Sequence, residues 1–330
     1  MDALPQRAKR RGWLSYAIRF LVSLTVLALL IRSVSWSGIA SALVSANRGL
    51  LFLGSLFAIP IVGLKGVKWW LLLRHAKIEV PLRKTALSYV AGLGFGLVTP
   101  GRVGELARIW VLGLDRRDYL VAGTLVLVDR LTDLAALLCV VSFSVLRFFG
   151  GAWLTGYISL GVAACSAWFL LTRRFRNNPE KASAGRSLVG KILSATAGLS
   201  PRHIAAYTLI GLLVTMCGVS MVCTFLNAMQ PVTFLDCLSA VPPVFMNSIL
   251  PVTVGGVGVR ELIMTVVCEQ IGVETAVAVS AIMIYFTASM LLPGAAGLVL
   301  FAVFNPRRPD LIARRPDECR EPVESTAARP

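Results

Sequence analysis

The chain has 330 residues, 56% of them hydrophobic and 15% charged, with a mean hydropathy of +0.74 and a formal net charge of +16. That composition excludes an ordinary soluble domain and predicts an integral membrane protein. In such a protein the positive charge first reports which loops face the cytoplasm, so it does not imply a nucleic-acid partner.

The N-terminal segment 1–12 carries Arg7, Lys9, Arg10 and Arg11 ahead of an apolar run from Trp13 to Ile31. No A-x-A cleavage site directly follows Ile31, so the run reads as a retained helix. Stretches long enough to cross a bilayer recur at 50–73, 119–147, 152–172, 203–229 and 274–304. Two further apolar regions, 85–113 and 233–272, are broken near their middles by Pro and Gly. The expected fold is an all-α polytopic membrane protein: six full spans and two broken, re-entrant helical hairpins within one transmembrane domain, 13–304.

With the N-terminus inside, segments 1–12, 74–84, 114–118, 173–202 and 305–330 are cytoplasmic and hold 4, 4, 2, 7 and 6 Lys or Arg. These 23 face only Arg32, Arg48 and Arg147 on the other side, which favours cytoplasmic termini. An all-spanning arrangement, with each broken region as one bent crossing, puts 173–202 outside and is disfavoured. The basic loop 173–202 reads as a topology signal rather than a lipid-binding patch, and the polar tail 305–330 is expected to lack fixed structure. The seven cysteines contain no CxxC pair, and Cys139, Cys165, Cys217 and Cys223 fall in apolar runs. Neither a metal site nor a disulfide framework is expected, and no cofactor motif is present.

The two broken regions resemble each other. LVTPGRVGEL at 97–106 and ILPVTVGGVGVREL at 249–262 each place an apolar half-helix, a Pro and a glycine-containing bend before Glu-Leu. Three full spans lie between them, an odd number, which sets the two hairpins on opposite sides as in an inverted repeat. A helix stopped within hydrocarbon leaves about four N–H and four C=O groups without intrahelical partners, so such breaks must line a cavity or be buried in protein. Pro100 and Pro251 remove a donor, while Gly101, Gly104, Gly255, Gly256 and Gly258 permit tight bends and close backbone approach. The second half-helices are expected to begin near Val103 and Val259, with their positive dipole ends available to an oxyanion.

Charged residues gather at the same places. Arg102, Glu105 and Arg108 flank the first break, and Arg260 and Glu261 the second. VDRLTD at 128–133 puts Asp129, Arg130 and Asp133 about 15 Å into the third expected full span, where ionisable groups are costly and usually mark a functional path. Glu105 and Glu261 also suit first-turn capping. Counted together, Arg102, Arg108, Arg130 and Arg260 balance Glu105, Asp129, Asp133 and Glu261 to a sum of zero. Two roles stay open for this set: a structural network holding the hairpins to the span, or a polar path that admits a lipid headgroup.

PGRVGELAR, then VDRLTDL, then PVTVGGVGVREL resemble, in that order, the signature of the flippase-like membrane family that includes the transmembrane domain of bifunctional lysylphosphatidylglycerol synthases. The resemblance covers roughly residues 13 to 304. It implies a polytopic protein of the bacterial inner membrane that moves phospholipids or lipid-linked precursors between leaflets, with functional roles for Pro100, Gly104, Glu105, Arg108, Asp129, Arg130, Gly255, Gly256, Gly258, Arg260 and Glu261. After the last expected span only about 26 polar residues follow, no room for the soluble aminoacyl-transferase domain of the bifunctional proteins, so a transporter rather than a synthase is expected. A membrane-embedded transferase using the paired carboxylates, or a lipid-binding protein without transport, are the alternatives. Membrane lipids are the expected partners; a second copy of the chain or a lipid-synthesis enzyme is left open as a protein partner.

Overall fold

Backbone amides that enter hydrocarbon must find partners within their own segment, and every regular element among the described residues is a helix. The computed structural model describes residues 36–99, 104–114, 116–159, 161, 200–248 and 258–304. The expected span 13–31, the end of 152–172, most of the loop 173–202, both termini, Pro100, Gly101, Arg102, Pro251, Gly255 and Gly256 lie outside these residues.

In chain order the helices are α1 (Trp36–Ser45), α2 (Arg48–Leu56), α3 (Ala58–His75), α4 (Leu82–Val98), α5 (Ala107–Leu112), α6 (Arg116–Phe149), α7 (151–159), α8 (Pro201–Asn227), α9 (Phe234–Phe245), α10 (Val259–Glu269), α11 (Thr275–Phe286) and α12 (Leu292–Phe304). Four stretches are long and apolar enough to cross a membrane: Arg48–His75, Asp118–Phe149, Arg202–Asn227 and Thr275–Val303. They coincide with four of the expected spans. Two features were not anticipated: α1, and a π-helical turn, Thr287–Leu291, that joins α11 to α12.

Local chemistry sets several boundaries. Asn47 starts α2 by accepting the N–H groups of Gly49 and Leu50 at 2.9 and 3.2 Å, which fills donors that a helix start leaves open. Thr233 does the same for α9 through Asp236 N–H at 3.2 Å. Helix α8 begins on Pro201, whose missing N–H costs nothing at a first helical position. Helix α5 stops where Gly113 turns left-handed at φ 59°.

Both expected breaks are present. Helix α4 ends at Val98, a 3-10 turn occupies 104–106, and α5 runs for six residues only, so the second half-helix is shorter and starts later than expected. The chain doubles back: a Cβ on Gly96 would lie 2.8 Å from Glu105 Cγ, and one on Gly92 would lie 2.9 Å from Arg108 Cβ. At the second break, α9 ends in a 3-10 turn after Pro242 and Pro243, and α10 begins at Val259 as expected and packs on α9.

Two apolar clusters hold the helices together. Trp69, Leu72 and Leu73 of α3, Leu112 of α5, Leu125 and Val128 of α6 and Tyr207 of α8 form the one beside the first break. Met221, Phe225 and Leu226 of α8, Val241 and Val244 of α9, Met264 of α10 and Ile282 of α11 form the one beside the second. Helix α8 contributes to both and so joins the two halves. Glycine allows the closest approach: a Cβ on Gly94 of α4 would stand 2.5 Å from the Gly294 carbonyl of α12, so these two helices meet backbone to backbone.

Candidate functional site: a buried ion cluster at the first break

The first break is held by its own side chains. Thr99 Oγ1 accepts the N–H of Gly104 at 2.6 Å and donates to the carbonyl of Phe95 at 3.1 Å, so one hydroxyl serves both a freed donor and a freed acceptor. A side chain at 104 has no space, because its Cβ would meet the Phe95 carbonyl and Thr99 Oγ1.

That fold-back delivers Glu105 and Arg108 to the face of α6 bearing Asp129 and Asp133. Arg108 Nη1 and Nη2 donate to Asp129 Oδ2 at 3.1 and 3.0 Å, and the guanidinium carbon lies 4.0 Å over the Trp69 ring. Such a contact lends a buried cation favourable quadrupole energy. Arg130 pairs with Glu105. The spacing of four residues between Asp129 and Asp133 puts both carboxylates on one side of α6, as expected.

What binds those carboxylates was missed. Lys65 and Lys68 of α3, three residues apart on one face, reach across from the second span. Lys68 Nζ sits 3.1 Å from Asp129 Oδ1 and 2.7 Å from Asp133 Oδ1, and donates to the Asp129 carbonyl at 3.2 Å; Lys65 pairs with Asp133. The signal for them was present, since two lysines inside a bilayer span are as costly as the aspartates, but they lie in a span with no Pro-Gly break.

This changes the charge count. Lys65, Lys68, Arg108 and Arg130 make four cations against the three carboxylates Glu105, Asp129 and Asp133, so the first cluster sums to +1 among the described residues. The expected zero left out Lys65 and Lys68, and Arg102, which it included, lies outside the described residues. Arg260 and Glu261 pair with each other and make no ion pair with this cluster among the described residues. Glu261 Oε2 also accepts the N–H of Gly258 at 2.7 Å, the capping role expected for it, and Gly258 adopts φ 92°, which a residue with a Cβ rarely takes. The positive end of α10 is thus met by its own carboxylate. Arg260 stacks on Phe286 at 4.2 Å.

Burial is graded across the first cluster. The side chains of Lys68, Arg108 and Asp129 are 0%, 1% and 5% exposed, whereas Lys65 and Asp133 reach 15% and 21% and Arg130 reaches 39%. One end is sealed and the other open.

A family model, the lysylphosphatidylglycerol synthase TM region, matches residues 16–297. The chain belongs to this family. No curated protein matches it. The match spans both breaks and every residue of the cluster, and with the four membrane-length helices it identifies an integral membrane protein with a lipid-related role. As a lysylphosphatidylglycerol synthase TM region, the chain sets its ionic residues about 15 Å into the helices: Asp129 lies eleven residues after Asp118, and Lys65 ten before His75.

Proposed function

We propose that this chain moves a phospholipid or lipid-linked precursor between the leaflets of a bacterial inner membrane. Both termini are cytoplasmic, and the headgroup passes the two breaks while the acyl tails remain in lipid. The broken regions act as re-entrant hairpins on opposite sides, related as an inverted repeat. The chain works as a translocator and not as a synthase, and lipids are its partners.

The observation that carries this reading is the gradient of exposure in the cluster, from Lys68 at 0% to Arg130 at 39%. A cluster serving only as a lock between helices gains nothing from an open end, because water or lipid there weakens its ion pairs. A headgroup path needs one. The sealed end, Arg108–Asp129–Lys68, favours a structural role for that part alone, so anchor and path divide the cluster between them.

Purified protein reconstituted into vesicles with tail-labelled phospholipids tests the claim. Transport between leaflets is expected to exceed that of empty vesicles, and Arg130→Gln and Glu105→Ala to slow it about tenfold or more, while the protein stays folded. Rates equal to those of empty vesicles would sink the transport reading. Unchanged rates in both variants would remove the site from the path. Cysteine labelling that places 173–202 on the periplasmic side would overturn the re-entrant arrangement.

A further inference from the structure

The chain's two histidines meet at one end of the helices, away from the cluster at the first break. His75 closes the membrane-length stretch Arg48–His75, and His203 lies in the opening turn of Arg202–Asn227, so each stands where a span ends. Their rings touch edge to face, with centroids 4.3 Å apart and planes tilted by 61°. Both can be reached from outside, His75 being partly buried and His203 exposed. Nδ1 of His203 lies 2.8 Å from Ser200 Oγ, which leaves Nε2 of that ring open. Among the described residues neither ring nitrogen of His75 has a hydrogen bond. The neighbouring cation on α3, Arg74, is turned back over the Trp70 ring at 5.2 Å.

We propose that His75 and His203 together bind one divalent transition-metal ion, copper(II) or nickel(II) ahead of zinc, and so clasp α3 to α8. Imidazole nitrogen is a good ligand for these metals, whereas magnesium and calcium take oxygen. A metal-binding histidine usually has its other nitrogen held by a hydrogen bond, which fixes the tautomer and aims the ligating nitrogen. Ser200 stands in that position for His203. The ring spacing decides the geometry. With metal–nitrogen bonds of about 2.1 Å, two imidazoles at right angles on one ion put their centroids about 4.5 Å apart, and at the tetrahedral angle about 5.3 Å. The observed 4.3 Å matches the right angle of a tetragonal ion and falls about 1 Å short of the tetrahedral spacing of zinc. No group of three or more His, Cys, Asp or Glu able to hold a metal occurs among the described residues, so the protein supplies two ligands and water the rest. Helix α3 carries Lys65 and Lys68, and α8 packs in both apolar clusters, so the ion ties the lysine-bearing helix to the element that joins the two halves. The site stands whether or not lipid moves past the breaks.

Full-length protein, purified in detergent without a polyhistidine tag and stripped of metal, is titrated by calorimetry with copper(II), nickel(II), zinc(II) and magnesium chlorides. The copper-loaded protein is then read by electron paramagnetic resonance. One ion per chain is expected to bind, copper most tightly and magnesium not at all, and the copper spectrum is expected to show couplings to two imidazole nitrogens. His75→Ala and His203→Ala each reduce these couplings to one and weaken binding about tenfold or more, while Ser200→Ala keeps both couplings and weakens binding about tenfold. His203→Gln, at an exposed position, carries the same expectation should His75→Ala fail to fold. Binding unchanged in the double alanine variant, a copper spectrum with fewer than two imidazoles in the unaltered protein, or no binding of any of the three transition ions overturns the proposal. Zinc bound more tightly than copper and nickel overturns the tetragonal assignment. The clasp has its own readout: nickel is expected to raise the resistance of the unaltered protein to unfolding by dodecyl sulfate and to leave that of the double variant unchanged. An ion that binds without this effect refutes the clasp alone.

Discussion

Replacing Asp129 by Asn deletes one negative charge and keeps the side chain's size, so its cost measures the charge. Two cations lose their partner at once: Arg108, whose Nη1 and Nη2 stand 3.1 and 3.0 Å from Oδ2, and Lys68, 3.1 Å from Oδ1. Neither can turn to water, with side-chain exposures of 1% and 0%. The Asn carbonyl can still accept from one of them, but its amide then directs two N–H donors at the other. Removing one partner of a buried ion pair costs about 3–5 kcal/mol. Lys68 keeps Asp133 at 2.7 Å, which holds the expected loss to about 4 kcal/mol rather than twice the cost of one pair. Reversible unfolding in mixed micelles of mild detergent and dodecyl sulfate reads this directly. Adding Lys68→Met removes a stranded ammonium and restores the cluster's starting charge, so the double variant is expected to be more stable than the sum of the singles by about 1–2 kcal/mol. A loss below about 1 kcal/mol for Asp129→Asn, or strict additivity in the double variant, refutes the idea that this end is a sealed ionic lock.

Two further substitutions test the breaks. Thr99→Val keeps the shape but removes the acceptor of the Gly104 N–H and the donor to Phe95, and is expected to cost about 1–3 kcal/mol in the same unfolding measurement. Glu261→Ala strips the cap from Gly258 N–H and leaves Arg260 buried at 8% exposure, so it is expected to destabilise by more than Glu261→Gln, which keeps an acceptor within reach of that N–H; equal losses would mean that the cap contributes nothing.

The spans were legible because apolar length is a local property: 50–73 and 119–147 were read directly and reappear as Arg48–His75 and Asp118–Phe149. The breaks were legible for a similar reason, since Pro and Gly act on their own few residues. Glu261 as a cap follows from its place three residues after Gly258. Pairing across the fold was not legible. Asp133 meets Lys65, 68 residues away in sequence, and only tertiary packing decides that the lysine face of α3 turns toward α6. The zero-sum count left out both lysines for the same reason. It pooled charges by their nearness to a break, whereas Lys65 and Lys68 come from an unbroken span and Arg260 is satisfied by its own neighbour. The π-turn after α11 has no Pro or Gly within Thr287–Leu291 to announce it.

The two breaks handle the same difficulty in different ways, and the difference bears on which part can move. At the second break the carboxylate, the arginine and the capped N–H all belong to Gly258, Arg260 and Glu261, so the ionic contacts travel with α10 as a unit. At the first, the contacts join separate elements: Lys65 and Lys68 from α3, Glu105 and Arg108 from the fold-back, Asp129, Arg130 and Asp133 from α6. Displacing α10 breaks none of these bonds, whereas separating α3 from α6 breaks the lysine–aspartate bonds at 3.1 and 2.7 Å and strands the fully buried Lys68. On the translocator reading proposed above, rigid-body rocking of one half against the other, the usual route to alternating access in repeat-built transporters, meets its lower ionic barrier at the second break. On that reading the first cluster keeps its bonds and stays together as one body, and its open end at Arg130 is the contact past which the lipid is handed.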